Sequence, residues 1–334
     1  MRTVDIAGIG IISSLGITPQ EVWCALCQSD PMSDCEKTVF PSFLPPAKRR
    51  RTDRFSDMAV YTAVTAAKDA DFVPDEKTGT VYTTGYGPLT GSMNFAERVA
   101  LGDPDICSPT VFSGTVPNAC VGQICMHLNC KGPSTVLTAS NNIGYTQLLL
   151  SSEKATDVLT GAVDEYNEAL FSALKERYPL PVPYREGAVS FLTTISSSKK
   201  YCAVVDFAEC YLGGYPPFDG VEVDFAKNLI EKTLLSVPSF RDADAVLCSD
   251  AGTSFDKAEQ DALSVLGTPK IITGVKKRLG ETLGCAYNMN VAIGALILKH
   301  GFVPPALGEN VPVSSLLVTG YDLSGNYTVT LLRK

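Results

Sequence analysis

The sequence predicts a layered α/β fold, because short apolar runs typical of strands alternate with longer amphipathic runs typical of helices. The alternation begins with the apolar run VDIAGIGII at residues 4–12, which is followed by a Ser-Ser-Leu-Gly turn and a helix that Pro19 opens. It is clearest at residues 56–71, where apolar side chains recur at helical spacing. It continues to the last predicted strand, residues 327–332.

The other predicted elements follow in order along the chain. Apolar runs of strand length occupy residues 80–85, 135–138, 157–164 and 184–192, with one helix ending at residue 128 and another running through residues 147–150. A polar run at residues 196–200 is taken as the midpoint and divides the chain into halves 1–195 and 196–334. The second half has predicted strands at 202–207, 243–249, 271–273, 315–319 and 327–332, and predicted helices at 224–235, 256–266 and 283–298.

The composition is that of a globular protein with an acidic surface. The chain has 334 residues, 45% of them hydrophobic, and a mean hydropathy of +0.10. A net charge of −8 and a pI near 4.9 argue against nucleic acid as the main partner. No apolar run approaches the roughly 18 residues that a membrane span needs, so no membrane partner is expected.

The eleven cysteines are expected to be free thiols. Their number is odd, and the first residues lead into a strand with a charge in it instead of the apolar core of a signal peptide. Cys24 and Cys27 have the spacing of a zinc or redox pair, but no second pair or histidine follows them, so core packing is the better interpretation. The sequence therefore predicts a cytoplasmic protein without a metal site or another cofactor.

A run of cations interrupts this acidic chain before the long helix. It consists of Lys48, Arg49, Arg50 and Arg51, with Arg54 three residues further on. Such a run is most often a solvated turn, but here it also forms a local positive patch that could receive an anionic partner.

The stretch around residue 140 has the pattern of a strand that turns sharply into a helix. An apolar strand ends at residue 138, and Ser140 stands at the bend. A turn of this kind exposes the side chain at the bend and directs the first backbone N–H groups of the helix toward whatever lies above it. This is a position for a nucleophile.

The bend resembles that of the β-ketoacyl synthases, in which a Thr-Ala-Cys triplet carries the cysteine that accepts the acyl chain. Other stretches resemble the same family in the same order: the Ser-x-Leu-Gly opening, Ser108-Pro109, Pro117-Asn118, Gly-Pro-Ser at 132–134, the strand at 157–164 and Glu186-Gly-Ala. The resemblance covers residues 4–332. It implies the thiolase-like fold, in which two similar α/β halves form layers in the order αβαβα.

Three positions differ from the family's catalytic pattern of one cysteine and two histidines. Ser140 replaces the cysteine, Asp250 lies in the segment that matches the first histidine motif, and Glu281 replaces the second histidine, whereas Lys276 is retained. Condensation of a malonyl unit needs a thiolate, polarised donors and an oxyanion hole. The resemblance therefore implies that no residue here is catalytic and that Ser140 is a small polar filler.

These losses resemble a chain length factor, the inactive subunit that pairs with an active ketosynthase in type II polyketide or aryl polyene synthesis. The resemblance implies two partners, an active ketosynthase subunit in a heterodimer or higher assembly and an acyl carrier protein that the basic run helps to hold. It also implies a chain-length tunnel and subunit interface. The residues expected there are Phe112, Ser113, Thr115, Val116, Asn118 and Cys120.

Two other interpretations stay open. One is a divergent acyltransferase or decarboxylase that uses Ser140, Lys276 and Glu281, although a serine needs a partnered base and the two histidines, His127 and His300, lie outside the matched segments. The other is a homodimeric, non-catalytic scaffold that binds acyl carrier protein.

Overall fold

The computed structural model of the chain describes residues 3–28, 35–49, 52–102, 109–138, 141–195, 200–213, 222–250, 252–267, 269–321 and 325–334. Its strands are β1 (Val4–Ile12), β2 (Gly79–Thr83), β3 (Ser134–Leu137), β4 (Asp157–Asp164), β5 (Gly187–Thr194), β6 (Cys202–Tyr211), β7 (Ala245–Leu247), β8 (Lys270–Ile272), β9 (Ser315–Tyr321) and β10 (Asn326–Arg333). Its helices are α1 (Pro19–Gln28), α2 (Pro46–Arg49), α3 (Arg54–Asp69), α4 (Leu89–Ala100), α5 (Pro109–Phe112), α6 (Ala119–Leu128), α7 (Asn142–Ser151), α8 (Glu168–Arg177), α9 (Val223–Leu235), α10 (Ser254–Leu263), α11 (Val275–Leu279) and α12 (Ala286–His300).

The strands form one mixed sheet in the order β3-β2-β4-β5-β1-β6-β10-β9-β7-β8. If the strands are numbered within their own half, both halves have the order 3-2-4-5-1. The pairing directions also repeat, because β2 is parallel to β3 and β4 as β7 is parallel to β8 and β9. The halves meet where β1 runs antiparallel to β6. This repeat confirms the predicted α/β fold with two similar halves.

The layers follow from how the apolar side chains are distributed over the sheet. Helices α7 and α12 share one core with inward residues of both halves, among them Val158 of β4 and Val318 of β9. The opposite face of the first half packs against α3 and α6, and that of the second half packs against α9 and α10. The result is the αβαβα arrangement.

A close approach between β1 and α3 fixes the first of these contacts. A Cβ atom on Gly10 would lie 2.0 Å from the carbonyl oxygen of Thr62, so only glycine lets the helix lie this close to the strand. The predicted strand at 4–12 and the predicted helix at 56–71 are confirmed, although α3 begins two residues earlier and ends at Asp69.

The structure contains five helices that were not predicted, and it moves the ends of several predicted strands. Helices α2, α5 and α11 were not predicted because they have only four or five residues, and α8 because it buries only Phe171 and Leu174. Helix α4 was not predicted although its apolar residues recur at helical spacing, because it follows a glycine-rich stretch and contains Gly91.

Strand β2 ends at Thr83, two residues before the predicted end, and the N–H groups of Gly85 and Tyr86 bind a carboxylate instead of a neighbouring strand, as described below. The proposed boundary at 195/196 adjoins residues 196–199, which are outside the described residues, and it stays a prediction.

Candidate functional site

The bend after β3 leads into α7, whose first turn is held by polar contacts. Ser140 is outside the described residues. Next to it, the Asn141 side chain accepts a hydrogen bond from the N–H of Gly144 (2.9 Å) and donates one to Glu209 (2.5 Å). Fully buried Asn142 donates to the hydroxyl of Thr160 (3.1 Å) and to the carbonyl of Gly161 (2.8 Å), which ties the helix to β4. The helix N-terminus is therefore fixed on the central strands of the first half.

Lys276 and Glu281, predicted separately as remnants of a catalytic motif, form a buried ion pair. The Lys276 ammonium lies 2.6 Å from a carboxylate oxygen of Glu281, and the two side chains are only 5% and 3% exposed. The other carboxylate oxygen accepts the N–H of Leu283 (2.7 Å). Backbone bonds from Glu281 to Pro183 and from Arg185 to Glu281 hold the same segment against the first half. The Glu281 charge is therefore compensated and its position is fixed.

Asp250 joins this group of loops from the end of β7. Its carboxylate accepts the N–H of Gly274 at 2.7 Å, and its backbone has a left-handed φ of 51°. Gly274 precedes α11, the helix that carries Lys276. The structure thus brings Asp250, Lys276 and Glu281 into adjoining loops, and it gives each carboxylate a local partner.

Asp164 connects the two halves at this place, a role that its match to a family motif did not reveal. Its buried carboxylate accepts from the hydroxyl of Thr84 (2.7 Å) and from the N–H groups of Gly85 and Tyr86. It also bonds the N–H of Gly284, three residues beyond Glu281. Burial raises the pKa of Asp164 to about 6, although these hydrogen bonds lower it in part. The carboxylate thereby locks the segment after Glu281 onto the end of β2.

The structural role of Glu259 was also not predicted from the sequence. It lies on α10, and its carboxylate accepts hydroxyl hydrogen bonds from Thr319 (2.6 Å), Tyr327 (2.8 Å) and Ser249 (3.3 Å). Burial raises its pKa to about 7, more than these hydrogen bonds lower it. The residue secures the loop after β7, which contains Asp250.

Replacing Glu259 by glutamine is expected to flatten the pH dependence of stability. Because the folded state raises the pKa of Glu259, its contribution is fully present below pH 4.5 and is lost as the pH rises through about 7. Relative to the parent, the Glu259→Gln variant should gain up to about 3 kcal/mol in free energy of unfolding between acid and mildly alkaline pH. Urea denaturation over that range measures it.

The exposed Glu176 on α8 provides the control for this experiment. Glu176→Gln should leave the pH profile of the parent unchanged. If the Glu259→Gln and parent profiles run parallel, the buried carboxylate is not the group that sets the pH dependence.

The predicted tunnel residues differ in their exposure on the single chain, and the lining that they are expected to form with a partner stays a prediction. Phe112 is 57% exposed and packs on Phe95, with ring centroids 5.5 Å apart. Cys120 is fully buried and its thiol donates to the carbonyl of Pro117. Thr115 donates to the carbonyl of Phe112 (2.8 Å), and Val116 and Asn118 are exposed. Phe112, Val116 and Asn118 are therefore surface residues here, and Cys120 is a core residue.

Ser113 differs from the other predicted tunnel residues because it lines an open cavity of about 490 Å³. The cavity lies between α2, the start of α3 and α6. Its lining is mixed in polarity and includes Lys48, Asp53, Ser56, Gln123 and Met126.

The predicted basic patch is divided by the structure. Lys48 and Arg49 end α2 and are exposed, and Arg50 and Arg51 are outside the described residues. Arg54 is different, because its guanidinium forms an ion pair with the fully buried carboxylate of Glu186 and donates to the carbonyl of Thr38 (2.7 Å). The Arg54 guanidinium is therefore engaged within the fold.

An apolar surface follows the outer edge of the first half. Strand β3 is the last strand at this edge among the described residues, and α6 and α7 flank it. Met126 on α6 is 62% exposed and Leu148 on α7 is 52% exposed. Monomeric proteins rarely leave a strand edge and apolar helix faces open together, so this edge has the character of a subunit interface.

Two features are absent from the described residues. No group of three or more His, Cys, Asp or Glu side chains there could hold a metal ion. In the same ranges, no helix has both the length and the apolar character needed to cross a membrane.

Comparison with known proteins places these features in a family. Residues 23–204, more than half of the chain, match the model of the β-ketoacyl synthase N-terminal domain. Putative polyketide β-ketoacyl synthase 1 of Streptomyces virginiae is 23% identical over 93% of this chain and 89% of its own length. The tetracenomycin polyketide synthase ketoacyl synthase alpha subunit of Streptomyces glaucescens is 23% identical over 80% and 74%. The match to 3-oxoacyl-[acyl-carrier-protein] synthase 2 of Coxiella burnetii (23% identity, 49% of this chain) spans about half of that relative, 46%.

Solved structures show the same fold over the whole chain. The ishigamide ketosynthase/chain length factor aligns with a TM-score of 0.81 at 20% identity, covering 100% of this chain and 99% of that one. A β-ketoacyl synthase from Burkholderia phymatum aligns with a TM-score of 0.82 at 18% identity, covering 100% of both chains. With the repeated 3-2-4-5-1 strand order and the family match over more than half of its residues, the chain belongs to the β-ketoacyl synthase family.

Proposed function

We propose that this chain is a non-catalytic chain length factor, which pairs with an active β-ketoacyl synthase in type II polyketide or aryl polyene synthesis. The observation that carries the proposal is the buried Lys276–Glu281 ion pair. In the family this motif supplies a histidine that donates to developing negative charge. An ionised carboxylate only accepts hydrogen bonds, so Glu281 cannot take over that role.

Asp250 supports the same conclusion at the first histidine motif. Its carboxylate is also an acceptor, and it is engaged with the N–H of Gly274. His300 cannot replace either group, because it ends the 15-residue helix α12 and lies about 20 Å along that helix from its start near Glu281. A serine at position 140 would then have no histidine base from either motif or from His300, which disfavours the acyltransferase interpretation.

The exposed edge at β3 supports the pairing part of the proposal. A second subunit seated there would cover the open strand and the apolar side chains of α6 and α7. The similarity to solved structures described as a ketosynthase/chain length factor, and as a type II PKS acyl-carrier protein in complex with its ketosynthase, also supports it. Lys48 and Arg49 are the described residues that we propose for contact with an acidic carrier protein.

The test compares the purified chain alone with the chain co-expressed with an active ketosynthase. Mass spectrometry of carrier-bound products should show extension only in the pair, with or without Ser140→Ala. In that pair, Phe112→Ala should lengthen the product and Thr115→Phe should shorten it, because packed tunnels resist added volume. Val111→Ala, a change at a neighbouring exposed residue of α5, is the matched control and should leave product length unchanged.

Three results would contradict this proposal in different ways. Extension by the isolated chain that Ser140→Ala abolishes would favour the acyltransferase interpretation. A homodimer that binds carrier protein but does not bind the ketosynthase would favour the interpretation as a non-catalytic scaffold. Parental product length in both tunnel variants, with normal assembly, would place the tunnel elsewhere.

A further inference from the structure

A second cavity lies far from the ion pair and is bounded by three helix ends. Its volume is about 330 Å³, within the range of small-molecule sites. Helix α1 contributes its first residues, and α3 and α12 contribute their last turns. Because α12 begins near Glu281 and ends at this cavity, about 20 Å separate the two places.

Basic side chains dominate the charged lining. Lys68, Lys299 and His300 face the cavity, and Asp69 is the acidic residue among its lining residues. Asp69 is already engaged, since it accepts from the hydroxyl of Tyr201 (2.6 Å), the ammonium of Lys200 (2.8 Å) and the N–H of Ile9 (3.0 Å). The Asp69 carboxylate is therefore committed to these three donors, and within the described ranges neither Lys68 nor Lys299 has a carboxylate oxygen at ion-pair distance.

Lys299 is the most informative of these groups. Its half-buried ammonium lies 4.3 Å from the centroid of the Tyr201 ring, and within the described ranges it has no carboxylate oxygen at ion-pair distance. Burial lowers its pKa and nearby Lys200 adds to that effect, while Asp69 opposes it. Within the described ranges, Asp69 is the carboxylate that acts on this ammonium group, and it does so from beyond ion-pair distance.

His300 completes the basic wall of the cavity in a fixed orientation. Its ring stacks on Trp23, with centroids 4.1 Å apart and planes inclined by 5°. Its pKa is lowered by burial and by the charges of Lys299 and Lys334. An anion in the cavity would reverse this effect by favouring the imidazolium.

An ordinary explanation exists for some of these charges. Basic residues are common in the last turn of a helix, where they interact with the helix dipole, and both Lys68 and Lys299 occupy such positions. Glu21 also lies near the cavity entrance, but its carboxylate accepts from the N–H groups of Ile17 and Thr18. What the dipole does not explain is that two basic helix ends converge on one cavity with apolar walls.

We propose that this cavity binds a small organic phosphate. A dianion beside Lys299 and His300 would also attract Lys68, whose ammonium lies 4.2 Å from the centroid of the Phe43 ring. Phosphate monoesters carry close to two negative charges at neutral pH. The apolar residues Ile17 and Leu296, which also line the cavity, would contact the organic part of the ligand. The site is independent of the function proposed above, because it uses none of the same residues.

The test uses phenyl phosphate as the probe, with inorganic phosphate and phenol as partial analogues. Isothermal titration should show binding of phenyl phosphate that is weakened about tenfold by Lys299→Gln, the expected effect of losing one charge-assisted contact. Lys299→Arg should retain it. Lys227→Gln on α9 is the matched control, because Lys227 is half-exposed and outside the cavity.

Histidine NMR of the parent chain provides a second readout, which does not depend on whether a variant folds. The chain has two histidines, so His127, which does not line the cavity, is an internal reference. Phenyl phosphate should raise the pKa of His300 and leave that of His127 unchanged. Equal shifts at both histidines, no shift at either, or equal weakening by Lys299→Gln and Lys227→Gln would overturn the proposal. Binding of phenol as tight as that of phenyl phosphate would overturn it as well.

Discussion

The Lys276→Met variant is expected to lose about 3–5 kcal/mol in free energy of unfolding, the usual result of removing one partner of a buried ion pair. Methionine fills a similar volume, so the loss comes from the charge. Glu281 would keep a carboxyl group that is 3% exposed and faces an apolar methionine side chain instead of a counter-charge. Urea denaturation at neutral pH, followed by circular dichroism, measures the difference.

The double variant Lys276→Met/Glu281→Met separates charge from packing. Replacing both partners by apolar residues is often neutral, so this variant should recover most of the lost stability. Lys277→Met provides the matched control, because Lys277 is exposed on the same short helix and should change stability by no more than about 0.5 kcal/mol. Equal stability of Lys276→Met and the parent would mean that the pair does not hold this segment.

The double variant also bears on the proposed function. If the ion pair only fills a former catalytic position, the double variant should still assemble with the ketosynthase and give the parental product. A loss of product at normal assembly and stability would instead show that Lys276 or Glu281 takes part in chemistry.

The sequence alone predicted the fold well, because its signals are local. The apolar runs at β1 and β4 have the bounds that periodicity indicates, and the polar run at 196–200 predicted the division into two halves. The similarity of those halves came from the family resemblance, since no internal repeat is visible in the residues. The strand order within each half required the structure.

The contacts within the site were harder to predict, because they depend on the tertiary path of the chain. Lys276 and Glu281 are five residues apart, a spacing that does not bring side chains together on a helix. They meet because Gly280 takes a left-handed φ of 82°, where a Cβ atom would lie 2.5 Å from the Arg185 side chain. The available signal in the sequence was Gly280, a glycine between the two charged residues.

Ion pairs between residues that are distant in the chain leave no signal in the sequence pattern. Arg54 was grouped with its cationic neighbours because they are close in sequence, whereas its partner Glu186 lies 132 residues away. The same reason applies to helix α6, whose residue Cys120 was expected in the tunnel and subunit interface. Its residues Cys120, Val121 and Ile124 are buried against α3 and the sheet, and Met126 remains exposed.

Placing a charge on the open edge should abolish pairing without unfolding the chain. Leu148 on α7 is 52% exposed, so Leu148→Asp should have little effect on the isolated subunit. In the complex, the same carboxylate would be buried against apolar surface. An unpaired charge at the centre of an interface weakens binding by about a hundredfold or more. Size-exclusion chromatography and pull-down with the co-expressed ketosynthase measure the loss.

Leu235→Asp is the control for this experiment, because Leu235 is 47% exposed on α9, which covers the outer face of the second half. It should pair normally, since its surface lies away from β3. Measuring the parent chain distinguishes a failure of the proposed function from a failure of the proposed interface. If the parent does not pair with any ketosynthase, the proposed function is wrong. If the parent and Leu148→Asp pair equally well, the partner docks elsewhere, and the edge formed by β3, α6 and α7 is not the interface.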